Sequence, residues 1–231
     1  MPHFTAAALQ DIGSALFDAL GSPHAESAWV AETLVRASLV GHDSHGIVRF
    51  TQYATQVQKG EVVPGAPITL LHETPASAVI DGHLGWGQVV ARHAMQLALQ
   101  KAAAVGIGVV AVQNCPHVGR LGEYVEMAAR ENRIGYAVVN SHGGGEAVAP
   151  WGGIDRRFTP NPIAFAAPTG ATGRCSWTSP PPPCPKVRCG WRGIAANSFR
   201  PTALSTTTAS RASIPPIFTA RRPVPCCRWA A

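Results

Sequence analysis

Apolar residues recur at helical spacing through the first quarter of the chain and then give way to alternation. Leu9, Ile12, Leu16 and Leu20 mark one face of a first helix, which Thr5 can N-cap and against which Phe4 is placed as a staple. Ser22 followed by Pro23 opens a second helix, which runs through Trp29 and Leu34 to Leu39 and stops at Gly41. Asp43 or Ser44 caps a third, from His45 to about Lys59, closed by Gly60. Beyond Pro64 the period shortens to two, and Ile68 to Leu71 and Ala78 to Asp81 read as strands. A helix from about Gln88 to Ala104, a β-rich run from Ile107 to Val112 and a helix from Leu121 to Asn132 follow. Strands at Ile134 to Val139 and Ile163 to Ala167 complete the order, with Gly143 to Gly145 in a loop. This alternation predicts a mixed α/β sheet domain behind an N-terminal helical layer.

After Gly170 neither period survives. Pro180 to Pro183, Thr206 to Thr208, Pro215-Pro216 and Cys226-Cys227 are low-complexity runs, and a disordered C-terminal tail is expected. The expected organisation is a helical region over 1–62, an α/β region over 63–170 and the tail over 171–231.

Composition breaks at the same place. All 13 acidic residues lie between Asp11 and Asp155, and the first 170 residues hold ten of the 19 Lys and Arg, whereas the last 61 residues hold nine basic side chains and no acid. At ordinary composition an acid-free run of that length arises by chance roughly once in a few thousand tries. The tail also holds five of the 6 cysteines, half of the 20 prolines and none of the 9 histidines. The formal charge of +6 is therefore a −3 body joined to a +9 tail, and it does not by itself point to a polyanionic partner. With 46% apolar residues over 231 positions there is material for one full domain or two small ones. No apolar run approaches the ~18 residues of a membrane span. No basic leader with an apolar stretch opens the sequence, so a cytoplasmic location is expected.

Three stretches carry candidate chemistry. In Ser44-His45-Gly46-Ile47-Val48-Arg49, with Tyr53 a turn further on, His45, Arg49 and Tyr53 stand four apart. A helix starting here would put them on one face, at the end where free N–H groups and the dipole favour an anion. Arg49 offers a planar fork for a carboxylate and His45 can move a proton near neutrality, a pairing suited to a 2-oxo or 2-hydroxy acid. The same pattern also describes a polar helix start whose His and Arg are simply solvated. Asn114-Cys115-Pro116-His117-Val118-Gly119-Arg120 follows a strand and precedes a helix, where α/β proteins place ligands. His117 is there either an acid–base group or a hydrogen-bonded loop residue. Asn140 to Gly145, Ala149 to Gly153 and Thr159-Pro160-Asn161-Pro162 are turns, or else places where backbone approaches a pyrophosphate or nicotinamide closely.

Some chemistries are excluded. There is no G-x-G-x-x-G between a strand and a helix and no Walker pattern, so neither nucleotide fingerprint applies. His42 and His45 imply no third ligand, and the tail cysteines form no C-x-x-C pair, so no metal site is expected. Cys115, next to Pro116, reads as a cap or turn residue rather than a nucleophile.

Taken in order, Ser44 to Arg49, Asn114 to Gly119, Asn140-Ser141 with its glycines, Ala149-Pro150-Trp151-Gly152-Gly153 and Asn161-Pro162-Ile163-Ala164 resemble the malate/L-lactate dehydrogenase family of NAD(P)-dependent oxidoreductases. The likeness covers roughly residues 3–170. It implies a fold distinct from the Rossmann type, a homodimer with its site between subunits or domains, and a small 2-hydroxy acid substrate of the malate, lactate or ureidoglycolate class. It also implies hydride transfer between C2 of that acid and C4 of NAD or NADP, with no nucleic-acid or membrane partner. By position it implies proton handling by His117, His45 and Ser44, and substrate binding by Arg49, Tyr53 and His45. Ser141, Thr159, Pro160 and Asn161 are implied on the cofactor. Pro160 stands where the family commonly has Thr, and Arg120 where a small residue is more usual.

The resemblance stops at Gly170, although family members continue through the rest of the cofactor site. A shifted reading frame explains both this and the composition. In a frame that joins the last base of one codon to the first two of the next, Pro becomes Ala, Thr, Ser or Pro, and Thr becomes Asp, His, Asn or Tyr. Ser176 onward then rereads as approximately V-D-L-A-T-S-A-V-P-E-G and the Thr run as D-H-D-G, and the family continues with a similar Asp-x-Ala-Thr-Ser stretch. Residues from about Arg174 are thus expected to be out-of-frame translation of a GC-rich gene, and the chain to be a truncated member with impaired activity. The alternatives are an inactive fragment, or a non-enzymatic interaction protein that uses the basic Pro-rich tail as a polyproline II ligand. Nucleic-acid binding is disfavoured, because the tail lacks interleaved aromatics.

Overall fold

The computed structural model describes residues 4–140, 149, 154–155, 157–159 and 161–169, and the backbone of 174–178 and 188–189. The chain divides into units of residues 1–194 and 195–231, and every element below belongs to the first.

Helix α1 (Ala6–Ala19) packs on α2 (His24–Leu39). Thr5 caps α1 as its sequence predicts, Oγ1 accepting from the Ala8 N–H at 3.1 Å. The buried face is only partly the predicted one: Leu16 and Leu20 pack against the core, but the deepest positions are others. Gly13, Ser14 and Phe17 go inside, while Ile12 and the expected staple Phe4 are exposed. The reason lies in the neighbours: a Cβ on Gly13 would stand 2.6 Å from the Phe50 ring and 3.0 Å from the Ala31 methyl. The smallest residue therefore sits at the closest approach, and Phe17 becomes the anchor. Its ring lies 5.7 Å from Phe50, edge-on, and 5.0 Å from Trp86. Phe17, Val30, Ala31, Leu34, Tyr53, Val62 and Trp86 form this first core. Burying a side chain such as Phe17 contributes about 1.5–3 kcal/mol. Pro23 starts α2 without a side-chain cap, and the Ser22 hydroxyl instead accepts from Trp86 Nε1 at 2.9 Å.

The third helix begins later than its spacing predicts. Asp43–His45 is a single 3-10 turn, Gly46 is extended (φ −100, ψ −150), and α3 runs Arg49–Gln58. Gly46 is pressed onto α2, where a Cβ would lie 2.0 Å from Ser38 Oγ; that hydroxyl accepts from the Ile47 N–H at 3.1 Å. His45 is therefore not on one helix face with Arg49 and Tyr53, and no helix N-terminus stands at Ser44.

Strand β1 (Thr69–Glu73) pairs antiparallel with β2 (Ser77–Asp81). Helix α4 (Gly87–Val105) then carries the chain to β3 (Val109–Gln113), which pairs parallel with β2, and Ile80, Val90 and Ala94 fill the space between them. Helix α5 (Gly122–Arg130) packs on a second, antiparallel sheet of order β4 (Gly135–Val138), β5 (Ile163–Pro168), β6 (Arg174–Thr178) and β7 (Arg188–Cys189). Leu121, Tyr124, Val125 and Ala129 meet Ala164 and Ala166 in its core.

β6 and β7 correct the expectation of a tail without structure from residue 171. Residues 174–178 pair with 164–168, from Ala164 opposite Thr178 to Pro168 opposite Arg174. A ladder is made of backbone groups, and the free edge of β5 accepts an extended segment whatever its side-chain period. The rest of the expected tail lies outside the described residues.

Candidate active site

The loop over 114–120, between β3 and α5, is the centre of the site. It leaves β3 through Asn114 in the left-handed region (φ 49). Asp81, at the end of β2, holds that exit: Oδ2 accepts from Gln113 Nε2 at 2.9 Å and Asn114 Nδ2 at 2.8 Å, and Oδ1 from the His83 N–H at 2.8 Å. These hydrogen bonds, that of Gln113 foremost, hold the Asp81 carboxyl below the usual carboxylate range. The loop then lies across the first turn of α4. A Cβ on Gly87 would stand 2.4 Å from the His117 carbonyl oxygen and 2.6 Å from that of Pro116, so this approach needs glycine. Further on, Tyr124 Oη donates to the Val118 carbonyl at 2.5 Å. Arg120 is held by Glu126 at 2.9 Å and Glu123 at 3.2 Å, and Arg36 meets the other oxygen of Glu123 at 2.8 Å.

His117 presents Nδ1 to Tyr53 Oη at 2.7 Å, and Gln88 in the first turn of α4 donates Nε2–H to the same oxygen, also at 2.7 Å. Tyr53 and Gln88 are buried, at 2% and 1% exposure. Gln88 Oε1 is buried without a hydrogen-bond partner. The His117 ring lies 5.0 Å from that of His45, which in turn meets His42 edge-on at 4.5 Å. Ser44 Oγ is 2.9 Å from His45 Nδ1, and Arg49 reaches back to donate Nε–H to the Ser44 carbonyl at 2.6 Å and Nη1–H to Gln52 Oε1. Arg49 and Tyr53 stand four apart on α3 as expected, whereas Ser44, His45 and His117 join them through tertiary contacts rather than helical spacing.

Burial, with His117, His42 and Arg49 adding charge repulsion, holds the His45 pKa down to about 3. Burial with Arg49 and His42 holds that of His117 down to about 4. Both imidazoles are neutral at pH 7, each offering one N–H and one bare nitrogen. Burial raises the Tyr53 hydroxyl above its ordinary value, so it remains a phenol. The Cys115 thiol, pushed up to about 12 by burial, does not serve as a nucleophile. Neutral imidazoles beside one guanidinium form a donor set for a small acid with an oxygen on its second carbon: the fork for the carboxylate, a ring nitrogen for that oxygen.

A family profile described as malate/L-lactate dehydrogenase matches residues 4–175. The chain belongs to the malate/L-lactate dehydrogenase family. The L-sulfolactate dehydrogenase of Methanocaldococcus jannaschii is 44% identical over 146 residues, 63% of this chain and 42% of that protein. The malate dehydrogenase of Pyrococcus abyssi is 43% identical over 150 residues, 65% of this chain and 41% of that protein. Malate dehydrogenase from Pyrococcus horikoshii OT3, at 38% identity, superposes with a TM-score of 0.72 over 77% of this chain and 50% of that one. The chain spans about two fifths of the curated relatives' length. The family match ends inside β6, close to where the composition changes.

Of the residues expected on a cofactor, Thr159 is half-buried and Asn161 exposed, both just before β5, whereas Ser141 and Pro160 fall outside the described residues. Sequence reasoning missed Asp81, Gly87 and Gln88. Gln88 carried a signal, as a polar residue between Trp86 and Val90 in the first turn of a helix. Asp81 carried the same one at the end of an apolar strand. Gly87 carried none, because the loop that requires it is remote in sequence.

Proposed function

We propose that residues up to about 170 form the substrate side of an oxidoreductase that moves a hydride between C2 of a small 2-hydroxy acid, or the matching 2-oxo acid, and NAD or NADP. The observation that carries this reading is the neutral His45–His117 pair, 5.0 Å apart, beside Arg49. Arg49 turns its fork from Ser44 and Gln52 to the carboxylate. His117 gives or takes the proton of the C2 oxygen at Nε2, while His45 and Ser44 line the same space. This donor set anchors and moves protons but holds no redox group, which fits a nicotinamide partner; when bound, that partner supplies or accepts the hydride. Ser141, Thr159, Pro160 and Asn161 would hold it. Relatives named for malate, sulfolactate, hydroxycarboxylates and ureidoglycolate support the substrate class. A homodimer, a cytoplasmic location and the division into 1–62, 63–170 and 171–231 belong to the same reading. Among the described residues no helix is long and apolar enough to cross a membrane.

The same reading takes residues from about Arg174 as out of frame, supported by the acid-free composition and by a family match that ends at residue 175. Sequencing the DNA across codons 165–180 tests this: one base gained or lost relative to close relatives is expected, and an uninterrupted frame overturns it. The frame-restored protein should turn over at least one of malate, lactate, ureidoglycolate and sulfolactate with NAD or NADP. His117→Asn should lower its kcat by about 100-fold or more. A restored enzyme silent on all four acids with both cofactors overturns the functional reading. The 231-residue chain itself should bind NADH poorly in a fluorescence titration.

A further inference from the structure

We propose that Gln88 is a positioning residue which, through Tyr53, sets the ring nitrogen of His117 that carries the proton. The inference rests on the reading of His117 as the group that handles the substrate proton. Its basis is the geometry of one oxygen: Tyr53 Oη stands 2.7 Å from Gln88 Nε2 and 2.7 Å from His117 Nδ1. A phenol has one proton to give, and an amide NH2 can only donate. With Nε2 of Gln88 facing it, Tyr53 gives its proton to Nδ1. Neutral His117 then keeps its own proton on Nε2, at the opposite edge of the ring.

The buried Oε1 of Gln88, which has no hydrogen-bond partner, completes the device. Turning the amide by half a revolution brings Oε1 to Tyr53 with the heavy atoms otherwise in place. Tyr53 then donates to Oε1 and accepts from Nδ1–H, which leaves Nε2 bare. An N–H at Nε2 serves the 2-oxo acid, whose C2 oxygen accepts. A bare Nε2 serves the 2-hydroxy acid, whose hydroxyl gives up its proton. An amide supports both directions of this chain, an ionised carboxylate only the second, and a thioether neither.

Long-range 1H–15N spectra of the full 231-residue chain with 15N-labelled histidine read the tautomer directly, with the His117 signals identified by their loss in His117→Asn. At pH 8 His117 of the unaltered chain is expected with its proton on Nε2. Gln88→Glu is expected to move it to Nδ1, so that the two nitrogens exchange their shifts, and Gln88→Met to give a mixture. His117 with its proton on Nδ1 in the unaltered chain, or unmoved in a folded Gln88→Glu variant, overturns the proposal. If that variant does not fold, Tyr53→Phe takes its place: a mixed tautomer supports the proposal and an unmoved one overturns it. No readout here depends on turnover. A frame-restored enzyme without activity would sink the functional reading and leave the tautomer result standing, whereas an active enzyme with an unmoved tautomer sinks this inference alone.

Discussion

The loop over 114–120 is flanked by two buried polar clusters built on opposite terms. On one side Gln88, Tyr53 and His117 are uncharged throughout, joined by two contacts of 2.7 Å and carrying one amide oxygen without a hydrogen-bond partner. On the other, Glu123 is 2% exposed and meets Arg36 and Arg120, while Arg120 also holds Glu126. Buried charges need each other, because close partners alone offset their loss of hydration. Neutral groups exchange hydrogen bonds one at a time and can be rearranged cheaply. The ionic cluster therefore fixes where α5 and the loop stand, and the neutral chain is free to change its protonation within that frame.

The sharpest way to break this contrast is to remove the shared carboxylate. Glu123→Ala takes from two guanidinium groups the buried carboxylate they share, leaving Arg120 with Glu126 and the partly exposed Arg36 with Glu32. It should cost about 3 kcal/mol in urea unfolding, the low end for breaking a buried pair. A loss below about 1 kcal/mol would mean that the loop is anchored elsewhere.

The next largest effect is on acid stability, and it belongs to the neutral side. The pKa values of His45 and His117 are held to about 3 and about 4 in the folded chain, against roughly 6.5 when unfolded. Below that unfolded value the unfolded state binds protons that the folded state refuses. The stability these rings contribute is thus fully present above about pH 6.5 and is lost progressively as the pH falls toward their folded values. Asp81, whose carboxyl is held low, acts in a different window: its contribution is present above about pH 3.9 and lost only as the pH falls through its folded value. Urea midpoints should therefore drop between pH 7 and 5, and the double variant His45→Asn, His117→Asn should flatten that slope. A flat profile in the unaltered chain would remove the claim that the two imidazoles are held neutral.

The same division explains how much could be read from the sequence. Helix α4 was expected from about Gln88 to Ala104 and runs Gly87–Val105, because its apolar spacing and its closing residue Gly106 (φ 88) are local signals. The turn of the buried face of α1 toward Gly13 and Phe17 and the break at Gly46 are not readable, because Phe50 and Ser38 decide them across the fold. The residues expected on the substrate side do come together in the fold, but not for the reason that spacing supplies. His45 shares no helix with Arg49, and the contact between Tyr53 and His117 spans 64 positions, beyond any spacing rule. Arg120 looked out of place where a small residue is usual, until Glu123 and Glu126 supplied its partners.

The smallest expected effect sharpens the comparison most. Gln88→Met removes one hydrogen bond, a loss of about 0.5–1.5 kcal/mol, but it also removes a buried carbonyl whose unpaired state costs about 1–3 kcal/mol. The methionine is close in volume and suits a position that is 1% exposed. The net change in urea unfolding should stay within about 1 kcal/mol of zero, against the several expected for Glu123→Ala. A loss of about 3 kcal/mol would make Gln88 a structural group like Glu123 and erase the difference between the two clusters. A near-neutral result, combined with a changed His117 tautomer, would place the value of Gln88 in the proton it directs, since folding would lose nothing without it.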